Sequence, residues 1–390
     1  MRALIYHSLY GYVGGIERYI HKVGSLFKKE GWTLYGLFES RVDNVGDFGD
    51  IYKDIYFGNE NNLDDLIKEF FSLEIEVVFI HKSNNINILS ALNKNFYTIS
   101  TIHDHDYYCF RKHKYFPLKR INCPLPMNRI YCSICSLLLK RDSSKALGFS
   151  LIKAHEKIEL TEEIKDADAT IVLSKYMMRN LDLNRWDMDT VYRIYPIHQV
   201  THTVDYFPQK TYQANYLFVG QLIRGKGVDI LIEACRILKH DYSLKIVGTG
   251  NDYDYIKKLI GMYGLNSKIE LVGWVDDVER YYSEADLVIV PSRWQEPFGL
   301  IGIESFSRCV PVVGFDVGGI SEWLHHEENG YLVSKKNSQG LAEALEYLDK
   351  NYQLLDKWGR AGYDYVKENY CESCFLQSIK NILNQAKAKF

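Results

Sequence analysis

The sequence predicts an α/β protein built as two parallel-sheet units facing across a cleft. Short β-rich runs alternate with helical patterns along the whole chain. The runs are apolar enough to be buried on both faces, as parallel strands sandwiched between helices are. A polar stretch with a proline and no periodicity, 199–214, divides the 390 residues into halves of roughly equal length.

In the first half, 2–7 reads as a strand. Residues 16–31 follow as a helix, with Ile16, Ile20, Val23 and Phe27 at helical spacing and Gly31 as its stop. Runs 33–39, 76–81, 96–103 and 169–174 are further strands. The second half repeats the plan with 215–220, 243–248, 268–273, 286–292 and 310–315. Helix 227–240 carries Val228, Leu231, Ile232, Cys235 and Leu238 on one stripe. The last stretch, from Cys371 to Phe390, reads as a helix, with Cys371 and Cys374 serving its packing. No repeat is visible beyond this shared pattern.

Composition excludes several classes. Forty-six per cent apolar and 25 per cent charged residues describe a globular chain, not a disordered or coiled-coil one. Lys plus Arg less Asp plus Glu, 47 − 50, is −3, so no basic field argues for nucleic acid. No apolar run is long enough to span a bilayer, and the first residues lack a signal-peptide pattern, so a cytoplasmic location is expected. The 30 tyrosines fit either genome bias or stacking on sugars.

Two segments carry chemistry. After the strand ending at Gly220, a loop with Arg224, Gly225, Lys226 and Gly227 leads into a helix, placing backbone N–H groups and a cation where a phosphate would sit. An ordinary βα turn accounts for it equally well. The G-x4-G-K-[ST] spacing is missing, and no G-x-G-x-x-G follows the first strand, so neither a P-loop ATPase nor a dehydrogenase is indicated. In 291–324, Glu296 lies in a loop and Glu304 in a helix opened by Gly299, an E-x7-E spacing with Gly318, Gly319 and Glu322 beyond it. Two carboxylates beside a helix N-terminus suit vicinal hydroxyls and a phosphate; two solvated acids are the plain alternative.

With GGIERYI (14–20), TIHDHD (101–106), DADATIVLSKYM (166–177), FVGQLIRGKGVDILIEA (218–234), KIVGTGND (245–252) and LVGWV (271–275), these strings in this order resemble glycosyltransferase family 4, retaining enzymes of the GT-B fold. The resemblance implies two Rossmann-like domains: 1–205 for the acceptor, 206–375 for the nucleotide sugar, and a helix at 376–390 returning to the first. It implies that Lys226 pairs with the donor diphosphate. Glu296 would hold the donor sugar, helped by the backbone of Pro297, Phe298, Gly299 and Leu300, and Glu304 the ribose. Gly273, Trp274 and Val275 would meet the base, Gly14 and Gly15 close over the diphosphate, and His103 approach the sugar at the reaction centre. The implied mechanism is front-face attack with retention and needs no divalent metal; the D-H-D at 104–106 does not read as a metal motif. One position departs: Gln221 stands where the family has arginine, removing a bidentate cation that Arg224 would have to replace.

Residues 105–145 form a Cys-rich basic insert. Between 111 and 145, nine Lys and Arg face one acid, Asp142, a local +8. It reads either as a solvated loop or as a surface for an anionic, lipid-linked acceptor at the inner membrane face. Cys109, Cys123, Cys132 and Cys135 offer four thiolates with one C-x2-C pair, a structural zinc set as an alternative to buried thiols. The functional expectation is transfer of a hexose-type sugar from a nucleotide-diphosphate sugar to a glycan or lipid-linked acceptor of a cell-surface polysaccharide. A GT-B scaffold that binds without turnover is the alternative, and epimerisation or phosphorolysis in the same architecture is a third.

Overall fold

The computed structural model describes residues 1–116, 121–137, 139–141, 149–198, 200 and 212–387. Strands in the first part are β1 (Arg2–Tyr10), β2 (Thr33–Arg41), β3 (Asp54–Phe57), β4 (Val77–Lys82) and β5 (Thr98–Ile102). Two short antiparallel pairs follow, β6 (Tyr115–Phe116) with β7 (Ile121–Asn122) and β8 (Leu139–Arg141) with β9 (Phe149–Leu151). Then come β10 (Ala169–Val172) and β11 (Val191–Arg193). Helices α1 (Gly15–Lys29), α2 (Leu63–Ser72), α3 (Ile86–Asn95), α4 (Arg129–Ser136), α5 (Ala154–Lys165) and α6 (Lys175–Leu183) lie between them.

The first sheet runs β11-β10-β5-β4-β1-β2-β3, every pair parallel. Parallel neighbours need crossovers, which the helices supply. Leu4, Tyr6, Leu37, Ile80, Ile102 and Val172 sit at its core.

Strands β12 (Asn215–Val219), β13 (Ser243–Val247), β14 (Ile269–Gly273), β15 (Leu287–Val290), β16 (Val312–Phe315) and β17 (Gly330–Val333) build the second sheet. Its order is β14-β13-β12-β15-β16-β17, again all parallel. Helices α7 (Val228–Ile237), α8 (Tyr253–Met262), α9 (Glu279–Glu284), α10 (Leu300–Phe306), α11 (Ser338–Lys350) and α12 (Gln353–Asn369) accompany it.

The chain divides into two compact units: Met1–Lys114 with Pro124–Ile197 and Glu372–Phe390, and Tyr115–Cys123 with His198–Cys371. Most of the polar divide expected at 199–214, and with it the 205/206 limit, lies outside the described residues. The basic insert is not one body, because Tyr115–Cys123 groups with the second unit. Of its charges, Lys119, Arg120, Asp142 and Lys145 lie outside the described residues.

The last helix, α13 (Glu372–Lys387), belongs to the first unit. It lies along α1: the Phe375 ring is 6.3 Å from that of Phe27, and Glu372 and Lys380 pair with Lys29 and Glu30 at 2.8 and 3.6 Å. Among the described residues no helix is long and apolar enough to cross a membrane.

Candidate functional site

In the second unit, β12 ends at Val219 and the chain turns through a short 3-10 segment, Arg224–Lys226, into α7. Gly227 caps α7 with φ +71°, and a Cβ there would lie 1.9 Å from the Pro291 carbonyl oxygen. Only glycine permits this approach. It draws the loop after β12 onto the loop after β15, where the Arg293 N–H donates to the Gly225 carbonyl at 2.8 Å.

That contact brings Lys226 to Glu296. Lys226 Nζ lies 2.7 Å from Glu296 Oε1, which also accepts from Ser292 Oγ at 2.6 Å and Trp294 Nε1 at 3.0 Å. Glu296 is buried. Burial alone would raise its pKa, but the Lys226 charge and the three donors outweigh burial and hold the carboxyl below its usual range. Gly318 closes the other side with φ +60°; a Cβ there would stand 2.2 Å from the Glu296 carbonyl oxygen, which accepts from the Gly319 N–H at 2.7 Å.

The rest of the E-x7-E segment follows. Gly299 caps α10 in the left-handed region, and the Phe298 carbonyl accepts from Trp323 Nε1 at 2.7 Å. The first N–H groups of a helix have no acceptor inside it; α10 opens at Leu300, and Pro297, Phe298 and Gly299 lead into it from Glu296. Glu304, half-buried on α10, accepts from the Tyr282 hydroxyl at 2.9 Å. Gly273 ends β14 at φ +85°, Trp274 beyond it is 65 % exposed, and Val275 is half-buried.

Arg224 does not stand open in place of the missing arginine. Its guanidinium lies 3.4 Å from both Asp229 and Asp252 and over the Tyr255 ring at 4.4 Å. Arg293 shares Asp229 at 2.8 Å. Gln221 is exposed.

In the first unit, Gly14 caps α1 and its N–H donates to Glu17 Oε2 at 2.7 Å; Gly15 is exposed. Glu17 Oε1 faces His7 Nε2 at 3.1 Å. Burial opposes the Glu17 charge, yet the His7 bond and the backbone donors bring its pKa down to about 2. His103 Nε2 bonds His81 Nδ1 at 3.0 Å, and Tyr19 lies edge-on to His103 at 4.9 Å. Loss of solvent, then the His7 and Lys82 charges, pushes His103 down to about 3, which keeps it a neutral imidazole near pH 7. His7, Glu17, Tyr19 and His81 were not anticipated. Their signal, histidines on neighbouring strands β1, β4 and the end of β5, appears only once strand order is known.

The acids of D-H-D are engaged by lysines: Asp106 meets Lys82, Lys157 and Lys112 at 2.8, 2.8 and 3.0 Å. Four converging thiolates were the other expectation. Cys109, Cys132 and Cys135 lie in the first unit and Cys123 in the second. Among the described residues no three His, Cys, Asp or Glu side chains come together as a metal site. The Cys109 and Cys132 sulfurs accept backbone N–H groups of Lys114 and Asn128, each at 3.4 Å.

Residues 207–365 match the family model for Glycosyl transferases group 1, a range holding Lys226, Glu296 and Glu304. That range is similar to the group 1 glycosyltransferases. An uncharacterized glycosyltransferase of Methanocaldococcus jannaschii is 36 % identical over 151 residues, 38 % of this chain and 37 % of its own length. The poly(ribitol-phosphate) alpha-N-acetylglucosaminyltransferase of Staphylococcus aureus is 25 % identical over 229 residues, 58 % of this chain and 45 % of its own. The chain thus matches less than half the length of either relative. Anabaena HepE in complex with UDP superposes with a TM-score of 0.72 at 16 % identity, covering 99 % of this chain and 100 % of that one. The likeness establishes the GT-B fold with its two Rossmann-like units.

Proposed function

We propose that this chain is a retaining glycosyltransferase. It takes a hexose-type sugar from a nucleoside-diphosphate sugar and passes it to a glycan or lipid-linked acceptor in cell-surface polysaccharide synthesis. The observation that carries the reading is the Lys226–Glu296 pair, held by Ser292 and Trp294 inside the range similar to the group 1 glycosyltransferases. HepE with UDP and the S. aureus relative support the donor and acceptor classes.

In this reading Lys226 neutralises the diphosphate and Glu296, kept ionised, accepts from donor-sugar hydroxyls. Charge-assisted hydrogen bonds of this kind are the strong ones. Glu304 takes the ribose hydroxyls, backbone at 297–300 lines the sugar, Gly273 to Val275 meet the base, and Gly14 and Gly15 face the diphosphate. Neutral His103, oriented by His81, lies at the sugar. Attack comes from the face the diphosphate leaves, and a leaving phosphate oxygen takes the acceptor proton. With Lys226 supplying the charge, the scheme uses no catalytic metal. The enzyme works on the cytoplasmic side, touching the membrane peripherally.

The test is thermal stabilisation by UDP, GDP, ADP and their hexose conjugates, followed by donor hydrolysis in Glu296→Gln. A ligand at 100 times its Kd adds about 2.7 kcal/mol. Wild-type turnover in Glu296→Gln would sink the assignment. Binding without turnover is the second reading, favoured by Gln221 together with the engagement of Arg224 by Asp229 and Asp252. Gain of activity in Gln221→Arg from an inert wild type would establish that one instead.

A further inference from the structure

Helix α4 carries its apolar residues on the wrong side for a core. Its cap, Asn128, accepts from the N–H groups of Ile130 and Tyr131 at 2.9 and 3.2 Å, and the helix ends at Leu137 in the left-handed region. At about 100° per residue, Ile130, Ile134 and Leu137 fall on one face with Tyr131 at its edge. All four are 66 to 73 % exposed, whereas Ser136 opposite is buried and Cys132 and Cys135 are half-buried. The helix is therefore seated on the first unit by its small polar side and holds its large aliphatic side chains outward. Contiguous exposed apolar side chains of this kind mark an interaction site.

Charge selects the partner. Exposed Arg129 opens the helix, and Arg111 donates to the Cys135 carbonyl at 3.3 Å near its end. In sequence the stretch 111–145 carries nine basic residues against one acid in a chain whose net charge is −3; of these Lys114 is buried, its Nζ donating to the Leu125 carbonyl at 2.7 Å, and Arg111 and Arg129 are the cations placed at α4. A face only eight residues long is too small for a stable protein interface, which needs about 800 Å² per partner. Insertion into a bilayer has no such threshold, because apolar burial and attraction to anionic headgroups add.

We propose that the outward face of α4, Ile130, Tyr131, Ile134 and Leu137, docks the protein on an anionic lipid surface. The inference rests on the lipid-linked reading of the acceptor, for which it names the membrane-facing element.

The experiment is flotation of the full chain with phosphatidylcholine vesicles and with vesicles in which phosphatidylglycerol replaces part of that lipid. Wild type, Ile130→Ser/Ile134→Ser and Arg129→Gln are compared at low and high salt. Wild type is expected to float with the anionic vesicles and to be released by salt. The double serine variant should bind at least about tenfold more weakly, since aliphatic burial and charge contribute together. Its melting temperature and its donor hydrolysis without lipid should match wild type. Failure of the wild type to float, equal binding to both vesicle types, or wild-type binding by the double variant would each overturn the proposal. So would concentration-dependent self-association that the serines abolish, which would assign the face to a second copy. Vesicle binding without donor hydrolysis would leave the docking face standing and refute the catalytic reading.

Discussion

Lys226 and Glu296, 70 positions apart in sequence, meet at 2.7 Å because Gly227 lets the loop after β12 touch the loop after β15. The pair is largely withdrawn from water, so each charge depends on the other. Removing one partner of such a pair costs about 3–5 kcal/mol, because the survivor stays buried and unpaired. Lys226→Met should lose stability of that order and Lys226→Met/Glu296→Gln markedly less. Denaturant unfolding of the single and double variants measures the coupling; simple additivity would mean that the two side chains are independent.

Trp294 gives Glu296 a donor that phenylalanine lacks. Trp294→Phe keeps a ring over Gly225 and Lys226 but loses the N–H. Hydrogen bonds to a charged carboxylate favour its ionised form, so the Glu296 carboxyl should titrate higher in the variant. Selective carboxyl-13C NMR follows it directly. An unmoved titration would show that Lys226 and Ser292 suffice.

Acid stability should report the first unit. Glu17, brought down to about 2, favours the folded state above the unfolded carboxylate range and loses that contribution as pH falls toward 2. His103, pushed down to about 3, acts in the same direction through a different proton. Below about pH 6.5 the unfolded chain binds the proton that the folded one refuses, so stability falls by up to about 1.4 kcal/mol per pH unit for that group. Thermal melts of wild type and His103→Gln between pH 7 and 4 should converge as pH falls. Parallel curves would contradict the neutral imidazole.

Gly318 is expected to tolerate no side chain. Its φ of +60° and the 2.2 Å approach of a Cβ to the Glu296 carbonyl both oppose alanine. Strain at such positions costs about 1–3 kcal/mol. Gly318→Ala should lower the melting temperature and, by shifting the Glu296 loop, reduce donor hydrolysis more than stability alone explains. A variant with normal hydrolysis would separate this turn from the site.

Ten strands were legible in the amino-acid order because each is an apolar run flanked by turn residues, the mark of a strand buried on both faces. Of the strands in the two large parallel sheets the three that escaped, β3, β11 and β17, are edge strands, and the short antiparallel pairs β6-β7 and β8-β9 escaped as well. An edge strand is covered on fewer sides, so its sequence need not be continuously apolar; Asp54–Phe57, half-buried between exposed ends, is an example. Among the candidate site residues, Lys226 lies in the loop after β12, Glu296 and Gly299 in the loop after β15 and Glu304 on α10, so local spacing could point to each of them but not to their partners. Sequence by itself thus determined the alternation of strand and helix, the two parallel units and the residue types gathered at their loop ends. The tertiary structure decided what those residues touch: Lys226 on Glu296, Arg224 drawn to Asp229 and Asp252, His103 on His81, and four cysteines that do not converge. The reason is that such contacts depend on strand order and loop packing, which bring together side chains whose distance along the chain carries no signal of their meeting.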